Sequence, residues 1–350
     1  MIVTLSMVIS RTPHRISLFG GGSDYPSWYL RHGGAALAAS IDKYCYLSCR
    51  DLPPFFDHRI RLMYSQVEQC AHADEIRHPA VRCALKHLGI EHGVEIHISS
   101  DLPARSGMGS SSSFAVGILH ALYALQGRMC SKERLAREAV FLEQEILKEN
   151  VGSQDQMTAA YGGINVLRFG ESGEVSVAPV LVAGRRIREL QSHLMLFYTG
   201  IVRTASDVAG TFVPRLAEKA GQIHRFVEMV DEAVEILETG EIRAIGSLLH
   251  EAWMAKRTLS AAVSNPSIDA LYERALASGA LGGKILGAGG GGFILFFVPP
   301  DRQEAVRRAL AGLLHVPFHF EFGGSQIIFY DPGQGSAELE AMRFAQLASF

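Results

Sequence analysis

The chain has 350 residues, more than one small module needs and enough for two packed domains of ordinary size. Hydrophobic residues make up 48%, charged residues 20% and aromatics 9%, a core-forming mixture that excludes disordered, collagen-like and coiled-coil classes. A formal charge of −3 gives no general attraction for polyanions, so neither nucleic acid nor an acidic membrane surface is expected as the main partner.

Apolar runs are short: residues 293–298 fall far below the roughly 20 residues of a membrane helix. Residues 1–10 are mildly apolar, but Arg11 and Arg15 follow them instead of preceding them, opposite to a secretory signal. A cytoplasmic location is expected. Cys45, Cys49, Cys70, Cys83 and Cys130 are an odd set without a CxxC pair, which predicts reduced thiols and no structural zinc.

In chain order, strands are predicted at 16–19, 36–48, 59–64 and 94–99, with a helix at 79–88. Residues 11–15 read as a basic turn ahead of the first strand. Helices follow at 111–126 and 132–149, then strands at 164–169 and 175–182. Residues 183–186 read as a polar crossing between domains, with Arg185, Arg186 and Arg188 on a solvated face. Beyond it come a strand at 194–198, helices at 206–238, 241–262 and 267–278, a strand at 293–298, a helix and a final strand pair. The pattern is α+β, with domains at 1–186 and 187–350.

Four stretches carry chemistry. In the first, Gly107-Met-Gly109-Ser110-Ser111-Ser112-Ser113 joins a strand to a helix, where glycines let backbone N–H groups approach a ligand and the helix start adds positive dipole. The element suits a phosphate. Capping the helix needs one serine, not four, and no Lys stands where a Walker loop requires it. Ser111 is the hydroxyl expected to reach a metal ion. In the second, Glu143 sits in the apolar stripe of the next helix, among Ala136, Ala139, Val140, Ile146 and Leu147. A carboxylate there is costly unless a cation or donors satisfy it, and the readings are a pair with an Arg or Lys or a Mg²⁺ shared with Ser111. Glu138, Glu145 and Glu149 project elsewhere and are read as solvated. In the third, Asp155, in Gly152-Ser-Gln-Asp155-Gln156, is either an N-cap or, with Glu143 near one cavity, the base of a metal-assisted phosphoryl transfer. In the fourth, Gly20-Gly21-Gly22-Ser23-Asp24-Tyr25 is a loop able to wrap a sugar, with Asp24 accepting from hydroxyls. Residues 287–292 formally match GxGxxG, but a strand follows instead of a helix, so a dinucleotide site is disfavoured.

Taken together, 12–25, 103–112 and 284–292, in that order with 152–156 between the last two, resemble the three motifs of the GHMP kinases (galacto-, homoserine, mevalonate and phosphomevalonate kinases). The resemblance implies an N-terminal domain like ribosomal protein S5 domain 2 and a ferredoxin-like C-terminal domain. It implies ATP as phosphate donor, bound through Pro103, Arg105, Ser106, Gly107, Met108, Gly109, Ser110, Ser111 and Ser112, with Mg²⁺ on Ser111 and Glu143. Asp155 becomes the catalytic base and Arg15 the charge beside it. Gly21, Gly22, Ser23, Asp24, Tyr25, Arg203, Lys256, Gly287 and Gly289 are expected on the substrate side.

Family sugar kinases usually carry Glu-His where Gly21 and Gly22 stand, which argues against galactose. The Gly-rich loop, residues 197–200 with Arg203, and residues 263–269 are most similar to members that phosphorylate the anomeric hydroxyl of a sugar phosphate. The implied partner is a small sugar or sugar phosphate, with no nucleic acid and no membrane, and with a homodimer left open.

Overall fold

A computed structural model describes residues 5–53, 55–201 and 205–333. The strands are β1 (Met7–Phe19), β2 (Gly34–Asp51), β3 (Ile60–Met63), β4 (Val67–Cys70), β5 (Val94–Ser100), β6 (Ile164–Phe169), β7 (Val175–Pro179), β8 (Leu194–Tyr198), β9 (Gly282–Ile285), β10 (Phe293–Phe297), β11 (Leu314–His315) and β12 (Gln326–Asp331). The helices are α1 (Pro26–His32), α2 (Pro79–His87), α3 (Ser110–Leu125), α4 (Lys132–Phe141), α5 (Gln154–Tyr161), α6 (Gly184–His193), α7 (Ala205–Gly210), α8 (Ala220–Glu238), α9 (Ala244–Arg257), α10 (Pro266–Ala277) and α11 (Gln303–Ala309).

Two sheets organise the molecule. The first runs β12-β1-β2-β5-β3-β4, with β6 on the N-terminal half of β2 and β7 on β6. It is antiparallel except for β3 against β5. The second runs β11-β8-β10-β9, all antiparallel, the strand order of a ferredoxin-like domain. Among the described residues no helix is long and apolar enough to cross a membrane.

The first strand is longer than its sequence suggests. Met7 to Phe19 is continuous, and the register shifts at Pro13/His14. Proline has no N–H to give a ladder, so it is tolerated where pairing is already broken by a bulge. Burial alternates along the first residues of β1 and then becomes continuous, because α3 and α5 pack on this strand together with α8 and α9 of the second unit. A strand covered on both faces loses the alternation that marks strands in a sequence.

Three further differences have local causes. The polar crossing is the helix α6, and Arg186 donates to the carbonyls of Ile236 (2.7 Å) and Gly240 (2.7 Å) at the end of α8, capping a helix C-terminus. The helix expected over 206–238 is broken into α7, a 3₁₀ turn at Val213–Lys219 and α8, at Pro214, whose nitrogen cannot donate. The expected final strand pair is split: β11 joins the second sheet, whereas β12 crosses back to β1 of the first. A single cut near residue 186 therefore does not separate the two sheets.

Candidate active site

Three loops meet between the sheets. Gly107 (φ +82°) and Gly287 (φ +67°) lie back to back, so close that a Cβ on Gly287 would stand 2.8 Å from Gly107 Cα. The Phe293 N–H donates to the Ser106 carbonyl at 3.1 Å. The second and third glycine stretches are thus locked together by their backbones, and only glycine permits the approach. Gly109 (φ +70°) precedes α3, and its α-carbon faces Arg15 and Asp155, which a Cβ would meet at 3.1 and 3.3 Å.

Arg15, 3% exposed on β1, is the hub. Its Nε and Nη2 donate to Asp155 Oδ1 (2.6 Å) and Oδ2 (2.5 Å), a bidentate pair, and Nη1 donates to the Gly107 carbonyl at 2.7 Å. The fork fixes both the orientation of the carboxylate and the backbone of the Gly107 loop. Asp155 stays partly open to the cavity it lines. Asp24 lies across from it, buried, accepting from Gly22 N–H and Gln154 Nε2, both at 2.9 Å. Burial raises its pKa; the Asp155 charge adds to this, and the two hydrogen bonds oppose it.

Glu143 is fully buried and has no Arg or Lys partner among the described ion pairs. Ser111 Oγ donates to Oε1 at 2.5 Å, and Ser112 Oγ (2.7 Å) and Gln156 Nε2 (2.6 Å) donate to Oε2. Burial pushes its pKa up to about 7, against these three donors. The expected straight helix 132–149 ends at Phe141 and continues as a π-turn, Leu142–Ile146, with Leu147 N–H reaching Leu142 O at 2.9 Å. Such turns recur at functional sites because they re-aim a side chain.

The cavity between the loops has a volume of about 480 Å³, within the range of small-molecule sites. Of the residues expected there, Arg15, Gly21, Gly22, Asp24, Tyr25, Arg105, Gly107, Gly109, Ser110, Ser111, Ser112, Asp155, Lys256 and Gly287 line it. Tyr25 packs edge-on against Phe212 at 6.1 Å. Others stand outside the lining. Ser23 is buried, donating to the carbonyls of Gly20 and Ala35; Ser106 and Met108 are buried; Pro103 is exposed; Gly289 packs on Val263. Glu143 lies one layer deeper, behind the serines. Arg203 falls outside the described residues.

Glu149 and Lys284 are among the lining residues that were not anticipated. Glu149, read as solvated, is half-buried on the cavity wall, its pKa raised by burial and opposed by the Ser111 hydroxyl and the Arg105 charge. Its sequence signal was erased by the π-turn, which shifts the helical register. Lys284 is buried on β9 and donates to Leu18 O at 3.0 Å. Lys256 donates to Gly287 O. Burial lowers both ammonium pKa values, to about 8 for Lys256 and well below the ordinary value for Lys284. Neither has a carboxylate partner among the described ion pairs, whereas Lys43, Arg168 and Arg257 pair with Asp42, Asp231 and Asp269.

A glycine-serine helix start, a buried acid behind it and an arginine-held aspartate at the junction of two α+β units define a small-molecule phosphotransferase. The chain matches the GHMP kinases N terminal domain over residues 76–163 and the GHMP kinases C terminal domain over 233–315, and it belongs to the GHMP kinase family. It is 28% identical over 317 residues to the D-glycero-alpha-D-manno-heptose 7-phosphate kinase of Campylobacter jejuni, covering 87% of this chain and 94% of that one. It is 28% identical to the bifunctional fucokinase/GDP-fucose pyrophosphorylase of Arabidopsis thaliana, over 84% of this chain but 30% of that longer protein. The crystal structure of a D-glycero-D-manno-heptose 1-phosphate kinase from Bacteroides thetaiotaomicron superposes with a TM-score of 0.77 at 25% identity, covering 93% of this chain and all of that one.

Proposed function

We propose that this kinase transfers the terminal phosphoryl group of ATP to the anomeric hydroxyl of a sugar phosphate, D-glycero-D-manno-heptose 7-phosphate being the acceptor that the likeness favours, with the 1,7-bisphosphate as product. The observation that carries the reading is the Arg15-held carboxylate of Asp155 facing Asp24 across one cavity, beside the helix start. The two heptose kinases it resembles carry the phosphate at different carbons in their names, so the acceptor has to be measured.

In this reading the backbone N–H groups of 107–112 and the N-terminus of α3 cradle the nucleotide phosphates and offset charge developing on the transferring group. Asp155 takes the proton of the attacking hydroxyl, while Arg15 holds the carboxylate in line and remains beside the nucleophile. Asp24 accepts from another sugar hydroxyl. Lys256, with Arg203, is assigned to the acceptor's own phosphate. The donor set for Mg²⁺ is Glu143 and the Ser111 hydroxyl, hard oxygens of the kind this ion takes, with phosphate and water completing its shell. When bound, the ion neutralises phosphate charge.

Release of ADP from Mg-ATP in the presence of heptose 7-phosphate, the unphosphorylated heptose, galactose and fucose tests the reading. Turnover restricted to the heptose phosphate is the expected result. Preference for free fucose would favour the second reading, a sugar 1-kinase of the fucokinase type, which the Arabidopsis relative supports.

A further inference from the structure

Six glycines line the cavity: Gly21, Gly22, Gly107, Gly109, Gly152 and Gly287. Five have a structural reason to be glycine. Gly22, Gly107, Gly109 and Gly287 hold φ values of +110°, +82°, +70° and +67°, a region L side chains rarely adopt. A Cβ on Gly152 would stand 1.8 Å from Asp24 Oδ2.

Gly21 has neither reason. Its φ lies outside the left-handed range, and a Cβ there would meet only Ser17 Oγ at 3.6 Å and Gln154 Nε2 at 3.7 Å, ordinary contact distances. Backbone and packing would both accept a side chain, and replacing glycine would also restrict the unfolded chain, which favours the folded one. What a side chain would take is cavity space. Gly21, Ser17 and Gln154 all face the cavity, and Gln154 is the residue that holds Asp24.

We propose that Gly21 is a specificity-determining position: the volume its missing side chain leaves beside Asp24 is filled by the acceptor, and it sets how bulky a sugar the site admits. The inference rests on the acceptor reading above, with Asp24 on a sugar hydroxyl. The exocyclic arm of a seven-carbon sugar phosphate is one carbon longer than that of a hexose and ends in a phosphate, so it is the class of acceptor that needs such room. Pocket volume discriminates steeply, about 10- to 200-fold for a single methylene.

The test is a graded series, Gly21→Ala, Gly21→Val and Gly21→Leu, read as kcat/KM for heptose 7-phosphate and for mannose, with ATP-analogue affinity and thermal midpoint measured on each variant. The expected result is a stepwise fall, at least ten-fold by Gly21→Leu for the heptose phosphate and smaller for mannose. ATP affinity should stay within two-fold, and the midpoint should be unchanged or raised. An acceptor KM within two-fold of wild type in Gly21→Leu would overturn the proposal. So would a fall in midpoint and ATP affinity together, which would make Gly21 structural. If the wild type ignores heptose 7-phosphate, the acceptor reading fails separately; the same series on whichever sugar it phosphorylates then decides the glycine by whether acceptor KM rises with side-chain size.

Discussion

Arg15 and Asp155 share two short N–H···O contacts, a geometry that Asn cannot reproduce because its amide offers one acceptor and carries no charge. Asp155→Asn is therefore expected to lower turnover by about 10²–10⁴-fold, the usual worth of a positioned base, while ATP affinity by isothermal titration stays within a few fold. Near-normal turnover would exclude the base role. Glu143→Gln is expected to raise the Mg²⁺ concentration needed for half-maximal rate, since the amide keeps the shape but not the charge; an unchanged Mg²⁺ titration would return Glu143 to a structural part. Both acids stand out in the sequence, one as a carboxylate in an apolar stripe and one beside glycine and glutamine. Lys284 does not, because a lysine next to a glycine run looks like any surface lysine until β9 buries it.

Each element contributes through its end. Helix α3 offers its N-terminus, α4 leads into the π-turn, and α5 begins against Asp24, where Ser153 N–H donates to Asp24 O at 2.9 Å and Gln154 reaches the Asp24 carboxylate. Gly152, just ahead of α5, leaves no room for a methyl group against that carboxylate. Gly152→Ala should displace Asp24 and raise the acceptor KM at least ten-fold with little change in KM for ATP, as steady-state kinetics with each substrate varied would show. Equal effects on both substrates would mean that the substitution disturbs the whole loop. The helix starts were legible because glycines and serines mark them, and the π-turn was not, because a wide turn has no residue signature and is imposed by what the chain packs against.

At the scale of the molecule, two histidines, His14 buried and His120 half-buried, bond between elements of the N-terminal unit. His14 on β1 bonds Ser100 Oγ through Nε2 at 3.0 Å, and His120 on α3 bonds Ser325 Oγ, just ahead of the returning β12, through Nδ1 at 2.9 Å. Burial lowers both pKa values to about 4, with the Arg15 charge adding to the shift at His14. The unfolded chain then binds more protons than the folded one below pH 6.5, so stability is full above that pH and is lost as pH falls toward 4. A shift of this size is worth up to about 3 kcal/mol per histidine. Denaturant midpoints measured between pH 7.5 and 4.5 should fall, and His120→Asn should flatten part of that slope; parallel slopes in the two proteins would exclude His120 as a contributor.

The amino-acid sequence alone determined the fold class and the order of the three glycine motifs, and it singled out Glu143 and Asp155 as candidates, because glycine-serine runs and a charge in an apolar stripe are local signals with few physical explanations. The tertiary structure decided what those signals leave open. It wrapped C-terminal helices over β1, returned β12 to the first sheet, set Glu143 behind Ser111 and Ser112, and brought Lys256 and Lys284 into the cavity. Those outcomes depend on contacts between residues up to hundreds of positions apart, and their energy comes from packing and desolvation, neither of which leaves a mark in a short window of sequence.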